Sequence, residues 1–131
     1  MVSRINQFTF DSRDGYTLCQ WWKQVTGYTE NPEFPNSPDE EENYIGPGGE
    51  RGGLLFINVP EPKAVKNRMH LDLSPETATR DEEVERLLAL GATLHEDHRT
   101  ENGAGWVTLL DPEGNEFCIE RSDAEREAAK G

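Results

Sequence analysis

His70, Asp72 and Glu120 are the residues of this chain whose types and spacing suit proton transfer, and Cys118 adds a sulfur two positions from Glu120. In His70-Leu71-Asp72 an imidazole and a carboxylate are separated by one residue, so an extended strand presents both on one face. Asp72 and Glu120 are candidates for an acid/base pair with His70, provided the strands bury them together. The competing use of Asp72 and Glu120 is a salt link to Arg68, Arg121 or Lys66. For His70 the alternatives are ligand contact or catalysis and a satisfied histidine lining a sheet. A shifted metal site of His70, Asp72 and Glu120 would combine imidazole and carboxylates, a set suited to iron, zinc or manganese. Cys118 beside Glu120 lacks the cationic setting a catalytic thiolate needs, so a buried thiol is expected. His95 and His98, at the end of a strand and into a polar loop, are expected to be solvated.

The elements that must position these residues recur along the chain. Phe8 and Phe10 alternate with Gln7, Thr9 and Asp11, the period of a half-buried strand. Leu18, Trp22 and Val25 fall at helical spacing over residues 15–26, widened by Tyr16, Cys19 and Trp21, and Gly27 supplies a left-handed stop. Residues 31–51 carry four prolines, three glycines and the acidic run Asp39-Glu40-Glu41-Glu42, which predicts a solvated loop with short edge strands around Thr29 and Tyr44. Leu54 to Val59 reads as a strand ended by Pro60-Glu61-Pro62.

After the linker from Lys63 to Asn67, a strand is expected at Met69 to Leu73. A helix then begins at the capping box Thr79 with Glu82, uses Val84, Leu87 and Leu88 as its buried face, and ends at Gly91. Ala92 to Glu96, Trp106 to Asp111 and Glu116 to Glu120 read as three antiparallel strands, the last two joined by Asp111-Pro112-Glu113-Gly114-Asn115. Asp123 to Gly131 reads as a frayed charged tail. The two halves keep nearly one offset: 70 − 7 = 63 from Gln7 to His70, and 91 − 27 = 64 from Gly27 to Gly91. Two copies of one supersecondary unit follow, about 5–60 and 67–121, with the tail at 122–131.

With 131 residues the expected organisation is one α+β domain spanning 1–131, built of two βαβββ modules. Thirteen basic against 26 acidic residues give a formal charge of −13, which repels nucleic acid and anionic membranes. No stretch approaches the roughly 20 apolar residues of a membrane span, and the first residues lack a secretory apolar run, so a cytoplasmic location is expected. Cys19 and Cys118, far apart in sequence, predict two buried thiols rather than a disulfide.

If each module packs its helix on one sheet face, Phe8, Phe10, Leu55, Ile57, Val59, Leu71, Leu73, Phe117 and Ile119 face the helices. The opposite face then carries Gln7, Thr9, Phe56, Asn58, His70, Asp72, Cys118 and Glu120. Curved sheets with helices outside would gather these residues into a cup with Trp106 on its wall, a composition suited to a small molecule. Trp21 and Trp22 are expected in the core.

The paired modules, with Val59-Pro60-Glu61-Pro62-Lys63, Lys66-Asn67-Arg68-Met69-His70-Leu71-Asp72-Leu73 and Asp111-Pro112-Glu113-Gly114-Asn115-Glu116-Phe117-Cys118, resemble the vicinal oxygen chelate superfamily, also called glyoxalase/bleomycin-resistance/dioxygenase, and within it an actinobacterial glyoxalase-like subgroup. The resemblance spans Ile5 to Arg121. It implies a divalent ion held by one ligand from the first and fourth strand of each module. Gln7 and His70 fall on two of those positions, whereas the two usually occupied by glutamate fall on Phe56 or Ile57 and on Cys118. A hard six-coordinate ion needs charged oxygen donors, so no cofactor is expected, and a residual metal site would rest on Gln7 and His70.

The resemblance implies a protein that binds or sequesters an organic metabolite or drug, with ligand contacts from Gln7, Thr9, Phe56, Asn58, His70, Trp106 and Cys118. Its rivals are a lyase, isomerase or dioxygenase using His70 with Asp72 or Glu120, and a non-catalytic interaction module with a plugged cup. Members often dimerise, so a homodimer is a further expectation.

Overall fold

Alternation of Phe8 and Phe10 with polar residues forms strand β1 (Gln7–Ser12) of the computed structural model, which describes residues 1–49 and 51–131. The chain divides into two compact units, Met1–Lys63 and Ala64–Gly131. The described residues form sheets of three and four strands and three helices, an α+β architecture. No helix among the described residues is long and apolar enough to cross a membrane.

In the first unit β1 leads to α1 (Gly15–Thr26), β2 (Glu42–Ile45) and β3 (Gly53–Asn58), with sheet order β1-β3-β2. Asp14 caps α1 by accepting from the Thr17 N–H at 3.1 Å, and Gly27, at φ 72°, ends it. Leu18, Cys19, Trp21, Trp22 and Val25 are buried as the periodicity predicts. Of the expected edge strands, Tyr44 lies in β2 and Thr29 forms a single antiparallel bridge to Gly46. The first module therefore keeps its order with one strand reduced to a bridge.

One expected face assignment is corrected in this unit. β1 and β3 pair in parallel with Phe10 opposite Phe56 and Ser12 opposite Asn58, so these residues share a face. The Phe10 ring lies 5.5 Å from Trp22 of α1 and 4.9 Å from Phe56. Phe56 is 0% exposed, and the Asn58 side-chain oxygen Oδ1 accepts from the Gly15 N–H at 2.7 Å, capping the first turn of α1. Phe56 and Asn58 thus face the helix, and Leu55 and Ile57 the opposite side with Gln7 and Thr9.

Burial, then the Glu30 carboxylate, push the Cys19 thiol from 9.0 up to about 12 against the opposing Lys23 ammonium. A raised value in the folded state makes the neutral thiol stabilising below the ordinary thiol range, and that contribution is lost as pH rises through the folded value. The urea midpoint should fall between about pH 9 and 12. Cys19→Ala should show a shallower fall over the same window, and an identical slope would contradict the assignment.

The second unit runs β4 (Leu71–Leu73), α2 (Arg80–Leu90), β5 (Thr93–Asp97), β6 (Val107–Leu110), β7 (Glu116–Ile119) and α3 (Asp123–Lys130), with sheet order β4-β7-β6-β5. Both arms of the Thr79 and Glu82 capping box form, at 3.1 and 2.9 Å, and Gly91 ends α2 at φ 116°. Val107, Leu109, Phe117 and Ile119 are buried with Val84 and Leu87 of α2. In the β6–β7 turn the buried Asp111 carboxylate accepts from the N–H groups of Glu113 and Asn115, each at 2.9 Å.

The tail is corrected as well. It forms helix α3, started by a second capping box in which Ser122 accepts from the Glu125 N–H and Glu125 from the Ser122 N–H. The same Glu125 oxygen accepts from the Arg80 N–H at 2.6 Å, which ties α3 to the start of α2.

Candidate functional site

Parallel pairing of β4 with β7 sets Asp72 opposite Cys118, and antiparallel pairing of β6 with β7 sets Thr108 opposite the same cysteine. The three side chains therefore share the face away from Leu71, Leu73, Phe117 and Ile119, the assignment expected from sequence for this half. His70 lies immediately before β4 rather than inside it, with Nδ1 3.5 Å from Asp72 Oδ1. His70, Asp72 and Cys118 each offer a ligating atom, and these atoms lie within 4.8 Å of one another.

The Cys118 thiol accompanies Thr108 Oγ1 at 3.4 Å. Burial raises its pKa first, and the negative charges of Asp72 and Glu120 add to the rise, while the Thr108 hydrogen bond opposes it. A nucleophilic thiolate is disfavoured accordingly. Glu120 is committed elsewhere: its carboxylate pairs with Arg126 of α3 at 2.7 Å, and among the described residues not with Arg68, Arg121 or Lys66. Of the three expected acid/base residues, the structure brings together His70 and Asp72.

A cavity of about 170 Å³ opens on this face, lined by Lys66, His70, Glu96, His98, Trp106, Thr108, Glu116 and Cys118. Trp106 lies in its wall, and His98 is not simply solvated. Its ring stacks on Trp106 with centroids 4.6 Å apart and planes 24° apart, and its Nε2 lies 3.7 Å from Glu96. Glu116 was not singled out by sequence, yet it is a buried carboxylate that receives the Asn67 N–H at 2.6 Å and Lys66 Nζ at 3.3 Å. His95 Nε2 approaches the same carboxylate at 3.8 Å. Glu116 thereby fastens the segment leading to His70 against β7.

The wall carrying His98 and Trp106 is held by Arg80, which is 4% exposed at the first position of α2. Its Nη1 donates toward the carbonyls of Gly103, Ala104 and Gly105 at 3.1, 3.0 and 3.1 Å, and its Nε to Asp81 at 3.0 Å. Gly105 sits at φ 89° with the His98 carbonyl where a Cβ would be, so the close return of the loop requires glycine. Arg99 bridges Asp97 and Asp81, and its hydrogen bonds hold the Asp97 carboxyl down to about 2. No motif marked Arg80, because a charged residue just after an N-cap ordinarily points to water.

The remaining expected ligand residues belong to the first unit. Gln7 opens β1 and Thr9 follows on the same exposed face, opposite Gly53 and Leu55 in register. Phe56 and Asn58 lie on the helix side, as described above.

A family model described as a glyoxalase-like domain matches residues 7–120. Among solved structures, the chain is similar to a glyoxalase/bleomycin resistance protein/dioxygenase family enzyme from Burkholderia phytofirmans PsJN, at 23% identity and TM-score 0.68 over 89% of this chain and 97% of that one. A mutant of the fosfomycin resistance protein FosX from Listeria monocytogenes, complexed with Mn(II) and 1S,2S-dihydroxypropylphosphonic acid, is similar at 15% identity and TM-score 0.69, covering 99% and 98%. Lactoylglutathione lyase from Agrobacterium tumefaciens is similar at 22% and 0.60, covering 91% and 93%. No match is found among the curated proteins.

The residues of the second unit do not fit a hard ion of the Mn(II) kind. Such ions take about six donors, mostly oxygen. The cluster holds one carboxylate beside an imidazole and a thiol, and Glu120 is paired with Arg126.

Proposed function

Because the chain belongs to the glyoxalase-like domain family, we propose that its second unit binds a small organic molecule in the cavity beside Trp106 and holds it without a hard divalent ion. The observation carrying this reading is the stacked His98 and Trp106 pair on a cavity wall that also presents the hydroxyl of Thr108 and the imidazole of His70. A few polar groups on an aromatic surface orient a ligand while apolar contact supplies affinity. At about 170 Å³ the cavity is well below the 300–1,000 Å³ of drug-sized sites, so it suits a small metabolite or one end of a larger molecule.

The charged lining selects further. Lys66 supplies one formal positive charge against two negative ones from Glu96 and Glu116, and the chain carries −13 overall. Neutral or cationic aromatic ligands are favoured over carboxylates and phosphonates. Calorimetry against neutral indoles, phenols and purines, and against small carboxylates and phosphonates, tests this. The neutral aromatics should bind, and Trp106→Ala should weaken them about tenfold through lost stacking while leaving the melting temperature nearly unchanged. Preferential uptake of the anions would refute the reading.

A second reading has one specific observation behind it. His70 Nδ1 at 3.5 Å from Asp72 is close enough for the carboxylate to orient the imidazole as a general base for a bound ligand. Turnover of any bound ligand that disappears in His70→Ala with binding retained would establish this enzymatic role.

A further inference from the structure

Asn102 precedes Gly103 in the loop between β5 and β6, and it is the only asparagine of the chain followed by glycine. Without a Cβ on the following residue, that residue's backbone nitrogen can approach the asparagine side chain. Both residues are exposed, and the Gly103 N–H donates to the Thr100 carbonyl at 3.0 Å across the turn. Arg80 holds the carbonyl of Gly103, not its nitrogen. Exposed turns of this kind open locally at low cost. The side-chain amide is polarised at one end and free at the other. Its Oδ1 accepts from the Thr100 hydroxyl and from the Ala104 N–H at 3.3 Å, whereas no hydrogen bond among the described residues holds Nδ2. Donors on that oxygen stabilise the negative charge it gains when a nucleophile adds to the amide carbon. Asn36, followed by Ser37, is the contrasting case. Its Oδ1 accepts from the Tyr44 N–H at 2.9 Å and its Nδ2 donates to the Tyr44 carbonyl at 2.9 Å, so this amide is tied at both ends.

We propose that Asn102 is a site of spontaneous deamidation, which converts the loop leading to Trp106 into an aspartyl or isoaspartyl form. The Gly103 nitrogen, its proton taken by solvent base, attacks Asn102 Cγ. The new C–N bond closes a succinimide ring as the Cγ–Nδ2 bond breaks and ammonia leaves. Water then opens the ring. Attack at the backbone carbonyl leaves isoaspartate, with the chain running through the side chain and one methylene longer, and attack at Cγ leaves aspartate. Either product adds a negative charge. The isoaspartyl form also displaces Gly103, whose carbonyl faces Arg80 Nη1 at 3.1 Å, and so loosens the segment that Arg80 holds. The proposal concerns a covalent change in the loop and does not rest on the reading of the cavity as a ligand site.

Peptide mapping of the full folded chain, aged in mildly alkaline buffer, is the test, read by mass and by methyl labelling with an isoaspartyl methyltransferase. The expected result is the mass gain of an amide-to-acid exchange at Asn102, with isoaspartate exceeding aspartate, at a rate at least about tenfold that at Asn36. Asn102→Gln, whose longer side chain disfavours ring closure, should abolish the methyl labelling of this peptide. Converted chains, separated by anion exchange, should show faster hydrogen exchange over residues 98–106 than unconverted chains, with β7 unchanged. Conversion confined to chains unfolded in urea, or equal conversion at Asn36, would overturn the site. Unaltered exchange in converted chains would overturn the loosening. Calorimetry on freshly prepared protein decides the organic-ligand reading separately, so its failure and the failure of this one are distinguishable.

Discussion

Phe56→Ala is expected to lower unfolding free energy by about 3–5 kcal/mol, the usual cost of deleting a fully buried phenylalanine. The ring is 0% exposed, its centroid is 4.9 Å from Phe10, and Phe10 in turn meets Trp22 of α1. Removing it leaves a void between sheet and helix that the paired strands β1 and β3 cannot collapse around. Urea denaturation followed by tryptophan fluorescence measures the loss. A change below about 1 kcal/mol would mean that Phe56 lies on an open face instead, where truncation removes little buried contact.

Arg80→Ala is expected to cost about 2–3 kcal/mol and, more tellingly, to loosen one segment of the second unit. Three successive carbonyls lose the guanidinium that faces them, and Asp81 keeps only its contact with Arg99 among the ion pairs described. Hydrogen exchange of residues 98–106 should accelerate strongly, while that of β7 changes only with global stability. Arg80→Lys, which restores a cation and up to three donors, should recover part of the protection. Uniform acceleration across the unit would reduce Arg80 to a general stability residue and remove its role in holding the His98 and Trp106 wall.

The second half of the fold was more legible than the first because its strands carry their phase in their composition. His70-Leu71-Asp72-Leu73 and Phe117-Cys118-Ile119 alternate, and each alternating residue lies on the face its polarity implies. Leu54-Leu55-Phe56-Ile57 is apolar throughout, so nothing within it fixes which residues face the helix. Asn58 then misled, since its polarity suggested a ligand site while its side-chain oxygen serves the first turn of α1. Ser122 with Glu125 repeats the start signal of Thr79 with Glu82, but the following Asp-Ala-Glu-Arg-Glu-Ala-Ala-Lys has no apolar side chain larger than alanine to mark a buried face. His98 and Arg80 acquire their roles from the loop between β5 and β6, whose path depends on tertiary contacts that no local spacing encodes.

The parallel pairing of β4 with β7 also orders events in time. Asp72 and Cys118 are 118 − 72 = 46 positions apart, whereas β6 and β7 are joined by a tight turn. Closing a segment of that length costs about 3 kcal/mol of chain entropy by loop-closure scaling, so the hairpin is favoured to form before β4 adds to it. Until β4 docks, the Cys118 sulfur has strand cover on one side only. Pulsed alkylation during refolding should therefore label this thiol early and lose access to it late, making Cys118 a clock for the step that completes the site.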